Sequence, residues 1–314
     1  MSIIETAPVV LEGMWGVEPD PLIIENIVGF GVEYEMFEDN DSYGDGDYCC
    51  TDCNGPLDEW DENHPRSVEL RGIVGRFLSS AKAAGLTSSD YLHDYHCNCE
   101  TCSYTRSEPI MCSQADGTVG AEMVSRILRC TNPDDLDELG RWVDFMQEWK
   151  NSGGWMPDGR ASCGNHIHVE RLPGVYGQDY AERAVGAAYV AYDWRVVADG
   201  GCGALRGYNR KPGTGDWSYG TGSTNWGRRR THTVEHRLWN TPRDPERLWV
   251  HVGLSIALTR WSIARRGIFI PSHSLVSEFH AHIDDFKRDV IAYLPDDARF
   301  QPAEQLLTDN LVNY

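Results

Sequence analysis

Glu33 and Glu35 stand two residues apart in Phe30-Gly31-Val32-Glu33-Tyr34-Glu35-Met36, and His166 and His168 stand two apart in Cys163-Gly164-Asn165-His166-Ile167-His168-Val169. On a strand, residues i and i+2 share a face, with Cα atoms roughly 6.5–7 Å apart. Each pair can therefore reach one common site. Paired carboxylates repel, and burying either without a partner is costly. Neutral imidazole is a good metal ligand and a good phosphate partner. A strand with its acidic face in water is the plainer reading of the first stretch; a lone strand histidine is usually just a satisfied polar residue, but two at i and i+2 on a β-branched strand favour metal or anion chemistry. The recurrence of the device favours cation chemistry. It appears again in Thr231-His232-Thr233-Val234-Glu235-His236-Arg237-Leu238-Trp239, where Glu235 and Arg237 share one face and Val234 and Leu238 the other. His236 falls on the apolar face of that strand and weakens its alternation. A lone Glu122 lies in Gly120-Ala121-Glu122-Met123-Val124-Ser125, another short strand.

If these strands share a sheet, one face presents Glu33, Glu35, Glu122, His166, His168, Glu235 and Arg237. Four carboxylates cannot stay ionised and unpaired on a concave face. Divalent cations resolve the conflict, and oxygen ligands with at most one histidine favour Mg²⁺ or Mn²⁺ over zinc. Arg237 does not bind metal and suits a phosphate. Together these point to phosphoryl transfer from a metal-bound nucleotide.

The elements that must position these residues follow from periodicity. Residues 1–25 hold Pro8, Pro19 and Pro21 and read as an arm laid on the surface or as a partly disordered one. The first strand is expected at about 28–37. Apolar residues from Leu70 to Ala81 fall at helical spacing over 68–84, with Gly85 as the stop. Asn132 and Pro133 cap a helix whose apolar face is Leu136, Leu139, Val143, Met146 and Trp149, ended by Ser152-Gly153-Gly154. Further helices are expected at about 180–199, 246–265 and 275–293. Residues 200–227 are Gly-rich, carry Arg206, Arg210 and Lys211, and read as a loop. They contain neither a GxxxxGK[ST] phosphate loop nor a strand–GxGxxG–helix unit. The tail beyond Pro295 carries no clear signal.

The chain has 314 residues, 41% hydrophobic, enough for a sizeable core. Its formal net charge of -20 makes it a poor general nucleic-acid binder, since it repels phosphate backbones. No apolar run is long enough to span a membrane, and the first residues lack the pattern of a signal peptide. A cytoplasmic protein is expected, whose 10 cysteines are thiols or metal ligands rather than disulfides. Cys49, Cys50 and Cys53 precede the expected helix at 68–84, and Cys97, Cys99 and Cys102 follow it. The two groups can hold one structural zinc, with His64, His93 and His96 as further candidates. Free thiols on an irregular insertion are the alternative.

The ordered set GVEYE, an isolated Glu122, CGNHIHV and TVEHR followed by a buried helix resembles the amidoligases, carboxylate–amine ligases of the glutamine synthetase-like fold found in bacterial and phage genomes. The matched segments span about 29–261. The resemblance implies an α+β fold: a curved, mostly antiparallel sheet with helices on its outer face. It implies a single catalytic domain over 26–314, with a Cys-rich insertion at about 41–112. It implies that Glu33, Glu35, Glu122 and Glu235 hold two or three Mg²⁺ ions on ATP, that His166 is a further ligand, and that His168 contacts the nucleotide phosphate. Arg237 would stabilise the transferring γ-phosphoryl group. The reaction would join a carboxylate and an amine, small molecules or peptides, through an acyl phosphate. A phage-encoded chain would act in the host cytoplasm. Two features depart from the family pattern. His236 replaces an aromatic or aliphatic residue, and the Cys-rich segment exceeds the minimal plan. The rival readings are a metal-dependent hydrolase or cupin-like enzyme using the HxH pair, and a non-catalytic zinc-stapled interaction protein. A cupin wants its Glu a few residues after the second His, whereas only Val169 separates His168 from Glu170.

Overall fold

The computed structural model describes residues 19–37, 65–88, 110–114, 121–156, 163–170, 224–225, 233–264 and 283–309. These form a mixed α+β architecture around one antiparallel sheet. The strands are β1 (Gly29–Met36), β2 (Met111–Gln114), β3 (Ala121–Ser125), β4 (Leu128–Arg129), β5 (Gly164–Glu170), β6 (Thr224–Asn225) and β7 (Thr233–Asn240). Their order is β2-β3-β1-β5-β7-β6, and β4 pairs with the start of β1. The helices are α1 (Pro21–Asn26), α2 (Pro65–Ala83), α3 (Pro133–Asn151), α4 (Arg247–Ala264), α5 (Ile283–Ile291) and α6 (Gln301–Asp309), with a 3₁₀ turn at Ala298–Phe300. No helix among the described residues is long and apolar enough to cross a membrane.

β1 lies between β3 and β5, and its odd and even positions differ. Phe30, Val32, Tyr34 and Met36 are all buried on the core face, under Ile167 and Val169 of β5 and Met123 of β3. Helices cover that face. Trp142 of α3 meets Tyr34 edge-on at 5.9 Å between centroids, and Phe77 of α2 meets Trp142 at 6.1 Å. Phe37 ends β1 with a left-handed φ of 62°, a costly conformation for a side chain with a Cβ. Its ring is fully buried between Phe77 and Trp155, which offsets that cost.

β3 and β4 are two halves of one strand interrupted by an extra residue. Glu33 pairs with Val124, but Phe30 pairs with Leu128, one position out of register. The Ser125 hydroxyl fills the gap by accepting from the Val32 N–H at 2.8 Å. Asp135 in the first turn of α3 accepts from the Arg129 N–H and pairs with Arg126, both at 2.7 Å. This anchors the helix start to the kink. As expected, the Asn132 side chain caps α3 by accepting from Asp134 N–H, and Pro133 occupies its first turn.

α4 is almost wholly buried. Along it, His251, Ser255 and Thr259 recur every four residues, one polar stripe on one face. Each meets a buried side chain of the sheet: Asn165 Nδ2 lies 2.9 Å from His251 Nδ1, Trp239 Nε1 donates to Ser255 Oγ at 2.8 Å, and His236 Nε2 lies 2.8 Å from Thr259 Oγ1. His251 also stacks on Trp239 at 4.8 Å. Arg260 is buried one turn beyond Ile256 and donates to the carbonyls of Ile24, Ile27 and Tyr293 at 3.1, 2.9 and 3.1 Å. Burial pulls its pKa down, and its contact with Cys130 opposes that shift.

Several expectations need amendment. The end of the expected arm is not loose: Asp20 caps α1 by accepting from Leu22 N–H, and Ile23 is buried. The stretch expected as a Gly-rich loop contains β6, paired with His236 and Glu235. The uninformative tail contains the 3₁₀ turn and α6, which bury Phe300, Ala303 and Leu307. The last part of the expected Cys-rich insertion runs into β2, in which Cys112 is buried. Cys49, Cys50, Cys53, Cys97, Cys99 and Cys102, and the helix expected at 180–199, lie outside the described residues.

Candidate metal centre

The antiparallel register gathers the predicted acids and imidazoles on the face of the sheet opposite the helices. Glu33 on β1 stands opposite His166 on β5, and Glu35 stands opposite Glu122 on β3. His168 on β5 stands opposite Gly31 on one side and Glu235 on the other. The pleat requires this, since residues directly opposite across a ladder point the same way. Glu33, Glu35, Glu122, His166, His168 and Glu235 thus converge from β3, β1, β5 and β7, as the sequence predicts. Residue 237 also lies on β7, but the Arg237 side chain is outside the described residues.

The alternation of β7 fails for a structural reason. Asn165 pairs with Trp239 while Ile167 pairs with His236, so β7 carries one extra residue opposite His166. This bulge lets His236 and Trp239 both enter the core, although three positions separate them. Burial, aided by the nearby His168 charge, pushes the His236 pKa down to about 3, so its ring is neutral there. A hydrogen-bonded polar side chain facing α4 explains why an imidazole is tolerated at that position.

Glu33 is the hub of the face. Its Oε2 lies 3.0 Å from His166 Nδ1, and its Oε1 lies 2.9 Å from His168 Nε2. Burial raises the Glu33 pKa, but the His168 charge and hydrogen bonds from both rings outweigh it. The carboxyl is held well below its ordinary range. Glu235 Oε1 approaches His166 Nδ1 at 3.6 Å, and Thr233 Oγ1 lies 3.3 Å from His168 Nδ1. Glu35 is almost completely buried and accepts a hydrogen bond from the Gly164 N–H.

Ligand atoms of Glu33, Glu122 and His166 lie within 4.8 Å of one another, and so do those of Glu33, His168 and Glu235. Ligands about 2.0–2.6 Å from a hard cation stand at such separations. Each set offers oxygens and a single imidazole, a donor chemistry that suits Mg²⁺ or Mn²⁺. The residues present therefore fit divalent cations, and cations would relieve the crowding of acids.

Two supporting residues were not singled out from the sequence. Gly164 precedes the HxH pair, and a Cβ there would come within 2.7 Å of His166 Nε2 and 3.2 Å of Glu35 Oε2. Thr241 follows β7, and its hydroxyl lies 2.7 Å from both the Glu35 and Gly164 carbonyls. It clasps β1 to β5 below the acids. A glycine at the mouth of CGNHIH was the available signal for the first; only the register exposes the second. Comparison with protein-family models, curated proteins and solved structures finds no significant match to this chain.

Proposed function

We propose that this chain is an ATP- and Mg²⁺-dependent carboxylate–amine ligase with a glutamine synthetase-like sheet, as its motif order resembles. The observation that supports this reading best is the convergence of Glu33, Glu122, His166, His168 and Glu235 on one sheet face. On this reading Glu33, Glu122, Glu235 and His166 hold the cations. Bound cations would neutralise the charge that builds up during phosphoryl transfer. His168, part exposed on the same face, contacts the nucleotide phosphate, and Arg237 supplies charge to the γ-phosphoryl group. Keeping water from this face would matter, because an acyl phosphate hydrolyses unless an amine intercepts it. Activation is required at all because a carboxylate does not react with an amine until it gains a better leaving group.

ADP formation from ATP across a panel of carboxylates and amines tests the reading, with Glu33→Gln as control. Turnover that needs both a carboxylate and an amine, and that vanishes in the folded variant, is the expected result. A fully active Glu33→Gln enzyme overturns it. One observation favours a second reading, a two-metal hydrolase: Glu33, His168 and Glu235 also converge as a ligand set. A hydrolase needs no nucleotide. Heat stabilisation by ATP with Mg²⁺, beyond that given by Mg²⁺ alone, separates the two.

A further inference from the structure

We infer that Glu35 acts as the positioning residue for His166, holding the ring so that Nδ1 faces the cation, rather than as a cation ligand itself. The inference rests on the cation-binding reading of this face.

The two nitrogens of His166 look in different directions. Nδ1 faces Glu33 Oε2 at 3.0 Å and Glu235 Oε1 at 3.6 Å. Both carboxylates are part exposed, with side chains 22% and 12% accessible. Nε2 faces Glu35 Oε1 at 3.6 Å, an ion-pair distance longer than a hydrogen bond, and the Glu35 side chain is only 1% accessible. The open side of the ring is thus the Nδ1 side. The closed side ends on a buried carboxylate.

Glu35 is itself held. The Gly164 N–H donates to its Oε2. The Thr241 hydroxyl ties the carbonyl of Glu35 to that of Gly164, so the backbones that carry this contact are fixed to each other. Gly164, His166 Nε2 and Glu35 Oε2 crowd one point, where no Cβ fits without displacing the imidazole. Glu35 also belongs to neither of the ligand sets found among the described residues, although it is the mate of Glu33 in the motif.

The arrangement is a carboxylate–imidazole–cation series. A ligating histidine commonly donates its other ring N–H to a carboxylate, which fixes the tautomer and raises the basicity of the ligating nitrogen. Nδ1, which meets Glu33 at 3.0 Å, would give its lone pair to a cation held on that side, and the ring proton would then sit on Nε2, directed toward Glu35 3.6 Å away. The two acids of GVEYE would then divide the work. Glu33 binds the cation, and Glu35 aims the imidazole that binds beside it.

The experiment is a Mn²⁺ titration of the full chain and its variants, read by electron paramagnetic resonance of free Mn²⁺. Glu35→Gln is expected to bind the same number of ions per chain as the parent, with affinity weakened about 10–100-fold. Gly164→Ala is expected to weaken affinity in the same direction, while Glu33→Gln loses ions from the count. Loss of one ion in Glu35→Gln, or unchanged affinity, overturns the positioning role and leaves the cation site standing. A parent protein that binds no Mn²⁺ overturns both. Because Glu35→Gln can fail to fold, ¹⁵N-histidine spectra of the Mg²⁺-loaded parent give an independent reading, with the His166 signals assigned by their absence in His166→Gln. An Nε2–H tautomer is expected, and an Nδ1–H tautomer overturns the inference.

Discussion

Glu33 faces His166 across the β1–β5 ladder, and a single carboxylate there serves two imidazoles, one oxygen to each ring. Removing its charge should leave the sheet intact, because the core face of β1 is built from Phe30, Val32, Tyr34 and Met36 and does not involve it. Glu33→Gln should therefore keep the parent far-UV circular dichroism while nucleotide turnover falls by about 10³-fold or more, on the scale of losing a principal electrostatic contact to the transition state. Parallel spectroscopic and ADP-release measurements check both halves.

Chelation should be visible as stability. A cation that binds only the folded chain stabilises it by about 2.7 kcal/mol at a concentration 100 times its Kd. Thermal melts in EDTA should lie below those in saturating Mg²⁺ or Mn²⁺, and Glu33→Gln should lose most of that difference. Differential scanning fluorimetry with and without chelator decides it.

Arg260 should prove a structural cation. Its guanidinium satisfies three carbonyls, at Ile24, Ile27 and Tyr293, and so joins α1 and the end of α5 to α4. Arg260→Met keeps much of the volume but strands those acceptors, each costing about 1–3 kcal/mol. A loss of about 3 kcal/mol or more in urea unfolding is expected. A neutral result would mean water replaces the guanidinium.

The contact between His236 and Thr259 should couple in a double-mutant cycle. Thr259 Oγ1 donates to the Ser255 carbonyl at 2.9 Å, which leaves it to accept from a neutral His236 Nε2–H at 2.8 Å. Thr259→Val leaves that N–H buried without its partner and should cost about 1–3 kcal/mol. His236→Phe should cost less in the Thr259→Val background than in the parent. Chemical denaturation of the four proteins gives the coupling term.

The strands that carry the paired acids and imidazoles were legible because their alternation is nearly clean. Phe30, Val32, Tyr34 and Met36 in β1, and Ile167 and Val169 in β5, define the core face, so Glu33, Glu35, His166 and His168 had to lie on the other. Helix α3 was equally plain, because Asn132 and Pro133 mark its start, although Trp142 on its buried face was overlooked. β7 was only half legible. Its local sequence contains no glycine or proline to announce a bulge, and the break that His236 makes in the alternation is explained only by its partner on α4. The polar stripe of His251, Ser255 and Thr259 lies inside a helix otherwise rich in apolar residues. Its four-residue spacing was present, but its meaning depends on Asn165, Trp239 and His236 lying opposite. The short strands β2, β4 and β6 have too few residues to show any period. The terminal helix α6 carries a short signal of its own: Asp297 caps the turn before it, and Phe300, Ala303 and Leu307 fall on one helical face.

The order of the strands sets the time at which the face can exist. β1 lies at the centre of the sheet, yet the neighbours that complete its acidic side are supplied from residues 121–125, 164–170 and, one strand further out, 233–240. At about 5–20 residues per second of synthesis, Glu235 leaves the ribosome on the order of 10–40 s after Glu33. Until β3 and then β5 emerge, β1 waits with its edges open. Nascent molecules are therefore most exposed to edge-to-edge association, and to help from holding chaperones, before the acidic face is complete.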